Sequence, residues 1–158
     1  MDVSSQSSIE TAFESHSSKY GRLDVLINNA GIISPAEPFL GQLRETFETN
    51  TFGAAIVTET FKPLLEKSKD PRLVNVSSDL GSITERGIKS NWNYSLPATA
   101  YRMSKAAMNM LTICTIADFR AKGVEIKAWA FNPGYCVTNL SGVGVTLCSV
   151  SRMSAKGI

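Results

Sequence analysis

Tyr101 and Lys105 stand four residues apart in the stretch Tyr101-Arg102-Met103-Ser104-Lys105, in a chain whose single histidine is His16. Residues at i and i+4 share a helix face, so this spacing carries an ammonium toward a phenol. A free tyrosine, with a pKa of about 10, exchanges its proton reluctantly near neutral pH. A neighbouring cation stabilises the phenolate and is expected to lower that pKa. The chemistry on offer is proton transfer to or from an oxygen. Taken alone, such a pair is more often two solvated residues on a helix, Ser77-Ser78 is a strand end, and Asn50 is a polar helix residue. Their order changes the reading. Asn28-Asn29-Ala30-Gly31 follows an apolar run, Asn50 falls in the next helical pattern, Ser78 follows a second apolar run, Tyr101 and Lys105 open the next helix, and Asn132-Pro133-Gly134 with Thr138 follows a third.

The elements that must position these residues can be read from periodicity and punctuation. Ser5 or Ser8 caps a helix through about Lys19, with Ile9 and Phe13 on its apolar side and Gly21 as its stop. Leu23 to Asn28 reads as a short strand buried on both faces. Leu40 to Lys67 has a helical pattern, bent in its last turns by Pro63. Leu73 to Val76 is the second strand. Ser77 to Pro97 is a long connection carrying Trp92 and Tyr94, a length that suits a functional segment, and the two aromatics are candidates for a substrate entrance or for packing within the loop. A helix from Thr99 to Ala121, ended by Gly123, leads to a third strand over Val124 to Phe131. Strands alternating with crossover-length helices imply an α/β fold with a parallel sheet and flanking helices, whose ligands bind beyond the carboxyl ends of the strands. Residues 1–140 carry this pattern. Residues 141–158 lose it and are expected to form an atypical, flexible tail; Gly142-Val143-Gly144 lacks the third glycine and the strand-turn-helix context of a phosphate loop.

Composition narrows the function classes. At 158 residues, 43% hydrophobic and 19% charged, the chain suits one globular domain. A net charge of +2 with no basic run gives no reason to expect nucleic acid or a membrane surface as partner. Cys114, Cys136 and Cys148 form no Cys-x-x-Cys pair, so reduced thiols and no metal are expected, with Cys114 in the core. His16 is expected on a solvated face. The amino end, MDVSSQSSIE, has neither a basic nor an apolar segment, and the apolar stretch from Ala106 to Ala117 is shorter than the roughly 18 residues a span requires. A cytoplasmic protein is the expectation.

The ordered motifs resemble those of classical short-chain dehydrogenases/reductases, over roughly Asp2 to Leu140. The resemblance implies a partial Rossmann-like, doubly wound parallel sheet and hydride transfer between NAD or NADP and a small carbonyl or alcohol substrate. It makes Tyr101 the acid/base, gives Ser78 the substrate oxygen, has Lys105 support the phenolate and hold the nicotinamide ribose, and has Asn50 position a water in a proton relay. It assigns cofactor contacts to Asp2, Val3, Asn28, Asn29, Ala30, Gly31, Pro133, Gly134 and Thr138. It also implies pairing with a second copy or a longer relative through the two long helices.

The same resemblance implies what is not found in this sequence: the first strand, the glycine-rich Thr-Gly-x-x-x-Gly-x-Gly turn that holds the pyrophosphate, the residue that selects NAD or NADP, and the last strand with its substrate region. The expected sheet is therefore three adjacent strands, the first with a bare edge. Three readings follow. The chain belongs to an oxidoreductase with its catalytic residues intact and its dinucleotide site incomplete; or it is an inactive binding or assembly partner; or it is an incomplete gene product.

Overall fold

The structure, a computed structural model, describes residues 1–134, Cys136 and Leu140. Its elements alternate in chain order: α1 (Gln6–Tyr20), β1 (Val25–Asn28), α2 (Phe39–Phe47), a π-helical turn (Glu48–Gly53), α3 (Ala54–Leu65), β2 (Arg72–Val76), a 3-10 turn (Asp79–Gly81), α4 (Ile83–Arg86), α5 (Thr99–Ala121) and β3 (Lys127–Phe131). The strands form one parallel sheet in the order β1-β2-β3, with Asn28 beside Asn75 and Val76 beside Phe131 in register. This is the partial Rossmann-like arrangement that the order of motifs implies. The expectation of a tail at 141–158 lies outside the described residues.

Local chemistry explains the helix limits. Ser5 caps α1 by accepting the Ser8 N–H at 3.4 Å, and Gly21, at φ 71°, closes it by donating to the Ser17 carbonyl at 2.9 Å. At the far end of α5 the Val124 N–H reaches Phe119 O at 3.0 Å and the Gly123 N–H reaches Arg120 O at 2.9 Å. These are the paired bonds of a Schellman stop, with Gly123 at φ 72°. The Leu40 to Lys67 pattern resolves into α2 and α3 joined by the π-helical turn, and Pro63 lies inside α3.

The core lies between the sheet and the helices α1, α3 and α5. Ile9, Val57, Phe61, Leu64, Leu65, Leu73 and Phe119 are buried there, and Phe13 meets Phe61 edge to face at 5.6 Å between ring centres. A polar chain ties the same layers together. Asn28 Nδ2 donates to Thr58 Oγ1 at 2.9 Å and to Asn75 Oδ1 at 2.8 Å, and Asn75 Nδ2 donates to Thr112 Oγ1 at 2.9 Å. All four residues are buried, so α3, β1, β2 and α5 are locked by bonds whose groups have no exchange with water.

Burial of β1 differs from the expectation. Leu26 and Asn28 face the helices, whereas Val25 is 40% and Ile27 59% exposed on the opposite face. An apolar run of this length carries no mark of whether its second face is covered, and among the described residues α3 and α5 cover one face only. Cys114 also departs from expectation: it is exposed, beside exposed Met110 and Ile113 on the outer side of α5. His16 is half-buried, its ring 4.9 Å from that of Tyr20 and its Nε2 2.9 Å from the Arg22 carbonyl.

The two faces of the sheet should respond differently to truncation. Leu73→Ala should lower the free energy of unfolding by about 2–5 kcal/mol, because it opens a cavity in the core. Ile27→Ala should cost about 0.5 kcal/mol or less. Urea unfolding followed by circular dichroism measures both, and equal losses would contradict the one-sided core.

Candidate active site

The carboxyl ends of β1, β2 and β3 deliver three short segments to one edge of the sheet: Asn29 to Gly31, Ser77 to Gly81, and Asn132 to Gly134. The amino-terminal half of α5 crosses above them. Tyr101 is 8% and Lys105 3% exposed, so neither is a solvated helix residue. The Lys105 ammonium donates to the Val76 carbonyl at 2.7 Å, lies 3.9 Å from Met108 Sδ, and sits 5.6 Å from the centre of the Tyr101 ring. Burial brings its pKa down to about 8.

Tyr101 moves opposite to the expectation. Burial holds its phenol above the ordinary tyrosine value; a hydrogen bond with Ser78 acts to lower it, and the negative charge of Asp79 adds to the rise. Desolvation of a phenolate in this setting outweighs the nearby ammonium, whose proton is engaged by Val76. Tyr101 is therefore a protonated phenol at neutral pH. Ser78 itself caps the 3-10 turn, accepting the Leu80 N–H at 3.2 Å and lying 3.2 Å from Asp79 Oδ1.

Asn50 is fully buried in the π-helical turn. Its Oδ1 accepts the Ile32 N–H at 2.7 Å, and its Nδ2 donates to Ile32 O at 2.9 Å and Ser104 Oγ at 3.0 Å. One amide thus joins the segment after β1 to the helix that carries Tyr101 and Lys105. A single π turn inside an otherwise α-helical stretch often marks a functional site, because it frees backbone groups from the regular ladder. Gly31 lies between these groups: a Cβ there would stand 3.4 Å from Lys105 Nζ and 3.5 Å from Asn50 Oδ1.

The other expected residues are less concentrated. Asn29 and Ala30 are exposed beside Gly31, while Asn28 is spent on the polar chain of the sheet. Gly134 adopts φ 73° and donates to Asn132 Oδ1 at 3.0 Å, forming the turn after β3 with Pro133. Val3 abuts the π turn, its carbonyl placed where a Cβ on Gly53 would come within 2.6 Å. Asp2 is occupied locally, its carboxylate accepting from Ser4 N at 2.9 Å and Ser4 Oγ at 2.7 Å, which holds it below the usual carboxylate range. Thr138 lies outside the described residues.

Several positioning residues escaped the motif reading. Ser104 receives the Asn50 amide. Ser77 Oγ donates to Asn109 Oδ1 at 2.6 Å, stitching the end of β2 to α5. Gly81 presses its backbone on α5 so closely that a Cβ would meet the Lys105 carbonyl carbon at 2.8 Å. A serine or glycine one turn from a motif residue is a signal only once the packing is known. Beside Tyr101 a cleft of about 370 Å³ opens between α2 and α5, with Ile33, Phe39, Gln42, Pro97 and Ala98 in its wall. Trp92 and Tyr94 are both exposed, and the Arg86 guanidinium lies 5.2 Å from the centre of the Tyr94 ring.

A three-stranded parallel sheet with Ser78, Tyr101 and Lys105 at its carboxyl edge and helices packed on it defines a protein of the Rossmann-like α/β class. The sequence pattern of the short chain dehydrogenases matches residues 1–144, and the chain belongs to that family. It is 37% identical over 155 residues to the short-chain dehydrogenase/reductase tropE of Talaromyces stipitatus, covering 89% of this chain and 57% of that protein. To the (+)-neomenthol dehydrogenase of Arabidopsis thaliana it is 30% identical over 168 residues, covering 92% of this chain and 56% of that one. The crystal structure of an NADPH-bound carbonyl reductase from chicken fatty liver superimposes with a TM-score of 0.78 at 32% identity, over 92% of this chain and 60% of the other. The chain spans a little over half the length of the curated relatives it matches.

The Lys105 titration supplies a test of the site. Between pH 8 and 10.5 the unfolded chain keeps the lysine proton that the folded chain has released, so stability rises with pH through that window. The full rise is roughly 3 kcal/mol at most. Tyr101 acts with opposite sign above its ordinary value near 10, where the unfolded chain loses the phenol proton first. Urea midpoints between pH 7.5 and 9.5 should therefore climb in the natural chain and stay flat in Lys105→Met.

Proposed function

We infer that this chain carries the proton-transfer half of a hydride-transfer site for a carbonyl or alcohol substrate, with NAD or NADP as cofactor. The observation that carries the inference is that Lys105 Nζ and Asn50 Oδ1 both approach Gly31, 3.4 and 3.5 Å from where its Cβ would stand, one helical turn from a buried Tyr101 hydrogen-bonded to Ser78. The residues fit the nicotinamide half of such a cofactor. Gly31 leaves open the space a side chain would fill, and the Pro133-Gly134 turn stands at the same edge. Lys105 would hold the ribose, with Asn29, Ala30, Gly31, Val3 and Asp2 along the adenosine side and Thr138 with the Pro133-Gly134 turn near the nicotinamide. A bound reduced nicotinamide supplies the hydride.

The protein's own groups then act in order. Ser78 orients the carbonyl oxygen and stabilises the negative charge that builds there. Tyr101, protonated at neutral pH, gives its proton to that oxygen and completes the alcohol. Lys105 offsets the phenolate charge left behind. Asn50, on its π turn, holds the water path by which Tyr101 is reprotonated. Alcohol oxidation reverses these steps. The relatives named for carbonyl reductase and neomenthol dehydrogenase activities agree with such a substrate class.

A second reading has one observation behind it. Met103, Met110 and Ile113 on α5, Phe52 in the π-helical turn and Ile56 at the start of α3 are exposed apolar residues. They suit pairing with a second copy or a longer relative, and light scattering on the purified chain distinguishes monomer from pair. No helix among the described residues is long and apolar enough to cross a membrane.

The enzymatic reading is tested with the folded 158-residue chain, NADH or NADPH, and 4-nitrobenzaldehyde. Saturable quenching or enhancement of cofactor fluorescence is expected. Tyr101→Phe should lower turnover by about 10²–10⁴-fold while leaving the unfolding midpoint in place. A folded chain that binds neither cofactor would make it an assembly partner and leave its family membership intact.

A further inference from the structure

Arg102 follows Tyr101 directly, yet it points away from the reaction and is 8% exposed. Its Nη2 donates to the backbone carbonyls of Asn93 and Leu96, the second at 3.4 Å. Asn93 O also accepts the Leu96 N–H at 3.2 Å, so the guanidinium closes on a turn that is already formed. Asn93 is fully buried. Its side-chain amide and the Nε and Nη1 of Arg102 have no hydrogen-bond partner among the described residues. A guanidinium in water-poor surroundings is costly to hold, and the bonds it does make there are charge-assisted and stronger than neutral ones. Among the described residues, Arg102 supplies the charged side-chain bonds that reach residues 93–96 from inside the fold. From outside, Arg86 Nη1 donates to Tyr94 O.

The clamped segment has a destination. It runs directly into Pro97 and Ala98, which form the wall of the cleft opposite Ile33 and Phe39, and then into Tyr101. We propose that Arg102 is a positioning residue: its buried guanidinium holds the turn at 93–96 against α5 and thereby sets the cleft wall that orients substrate before Tyr101. The proposal rests on the oxidoreductase reading for its kinetic consequence and stands apart from it for the structural one. Both bonds leave the single nitrogen Nη2, so a lysine ammonium that reached the turn would replace them only in part, on a more flexible stem and without the guanidinium's buried bulk.

Hydrogen exchange and steady-state kinetics on the full chain decide the matter, comparing the natural protein with Arg102→Ala, Arg102→Lys and, as a control on the same loop, the exposed Lys89→Ala. Amides of residues 93–96 should exchange about tenfold or more faster in Arg102→Ala, with α3 and β2 unchanged, and to an intermediate degree in Arg102→Lys. With NADPH saturating, KM for 4-nitrobenzaldehyde should rise about fivefold in Arg102→Ala while kcat falls less than about threefold, and Arg102→Lys should recover part of the loss. Lys89→Ala should change neither. Unchanged exchange at 93–96, or acceleration spread equally through the core, would overturn the clamp; if Arg102→Ala does not fold, the lysine variant decides by the same two readouts. A natural chain that turns over no aldehyde would end the oxidoreductase reading, and the exchange pattern alone would then judge the clamp.

Discussion

The buried ammonium of Lys105 constrains everything around it. Among the described residues it pairs with no carboxylate and donates to one carbonyl, that of Val76, at 2.7 Å. An ammonium so placed must have close backbone on its other sides and no side chain competing for the space. Gly31 provides this on one side, where a Cβ would stand 3.4 Å from Nζ, while Gly81 lets the backbone of the 3-10 turn pack directly on the main chain of Lys105. The bond to Val76 also draws the start of α5 onto the carboxyl end of β2. Tyr101, one turn earlier, is carried to the same edge and loses its solvent in the process. Burial of the phenol and burial of the ammonium are thus one event, driven by one helix docking on one strand end.

What allows that docking is the polar chain one layer below. Asn28 and Asn75 pair across β1 and β2 in register, and each reaches a threonine on a helix, Thr58 on α3 and Thr112 on α5. Apolar packing alone fixes how far a helix stands from a sheet but leaves it free to slide along its axis by small amounts. Hydrogen bonds between buried groups remove that freedom, because a shift would leave a donor unpaired. Asn50 repeats the device at the next level, its amide joining Ile32 to Ser104. The site is therefore placed by directional bonds and insulated by the apolar cluster around Leu73 and Phe119.

The order of elements and the ends of α1 and α5 could be read from the sequence, since caps and periodicity are local signals, while the grouping of Ser78, Tyr101, Lys105 and Asn50 followed only from the order of the motifs and the family resemblance. Gly21 and Gly123 announced their helix ends by the left-handed backbone that only glycine adopts easily. Other features depend on what lies across space. Leu26 and Ile27 are equally apolar, and only the position of α3 decides that one is buried and the other exposed. The π turn has no sequence mark distinct from a helix. Gly81 and Ser104 matter through what they touch. The sign of the Tyr101 shift depends on the same thing: the i, i+4 spacing supplies the neighbouring charge but says nothing of the water that both groups lose.

That loss of water gives the pair its chemical character. Burial opposes charge on each partner separately, raising the phenol and lowering the ammonium. It also strengthens the attraction between phenolate and ammonium, since opposite charges interact more strongly where the effective dielectric is low. With the phenol neutral, the ammonium carries its desolvation alone, eased by the Val76 carbonyl. In the proposed reaction, where the phenol proton would pass to a substrate oxygen, the charge left on Tyr101 would meet a cation 5.6 Å from its ring and a hydrogen bond from Ser78. The groups are arranged so that their electrostatic benefit is largest after proton transfer and small before it. An interaction of that kind lowers a barrier instead of merely tightening a complex. On the proposed reading, a tyrosine held above its ordinary pKa can still serve: at neutral pH the proton that carbonyl reduction would require is on the phenol, beside the groups that would stabilise its departure.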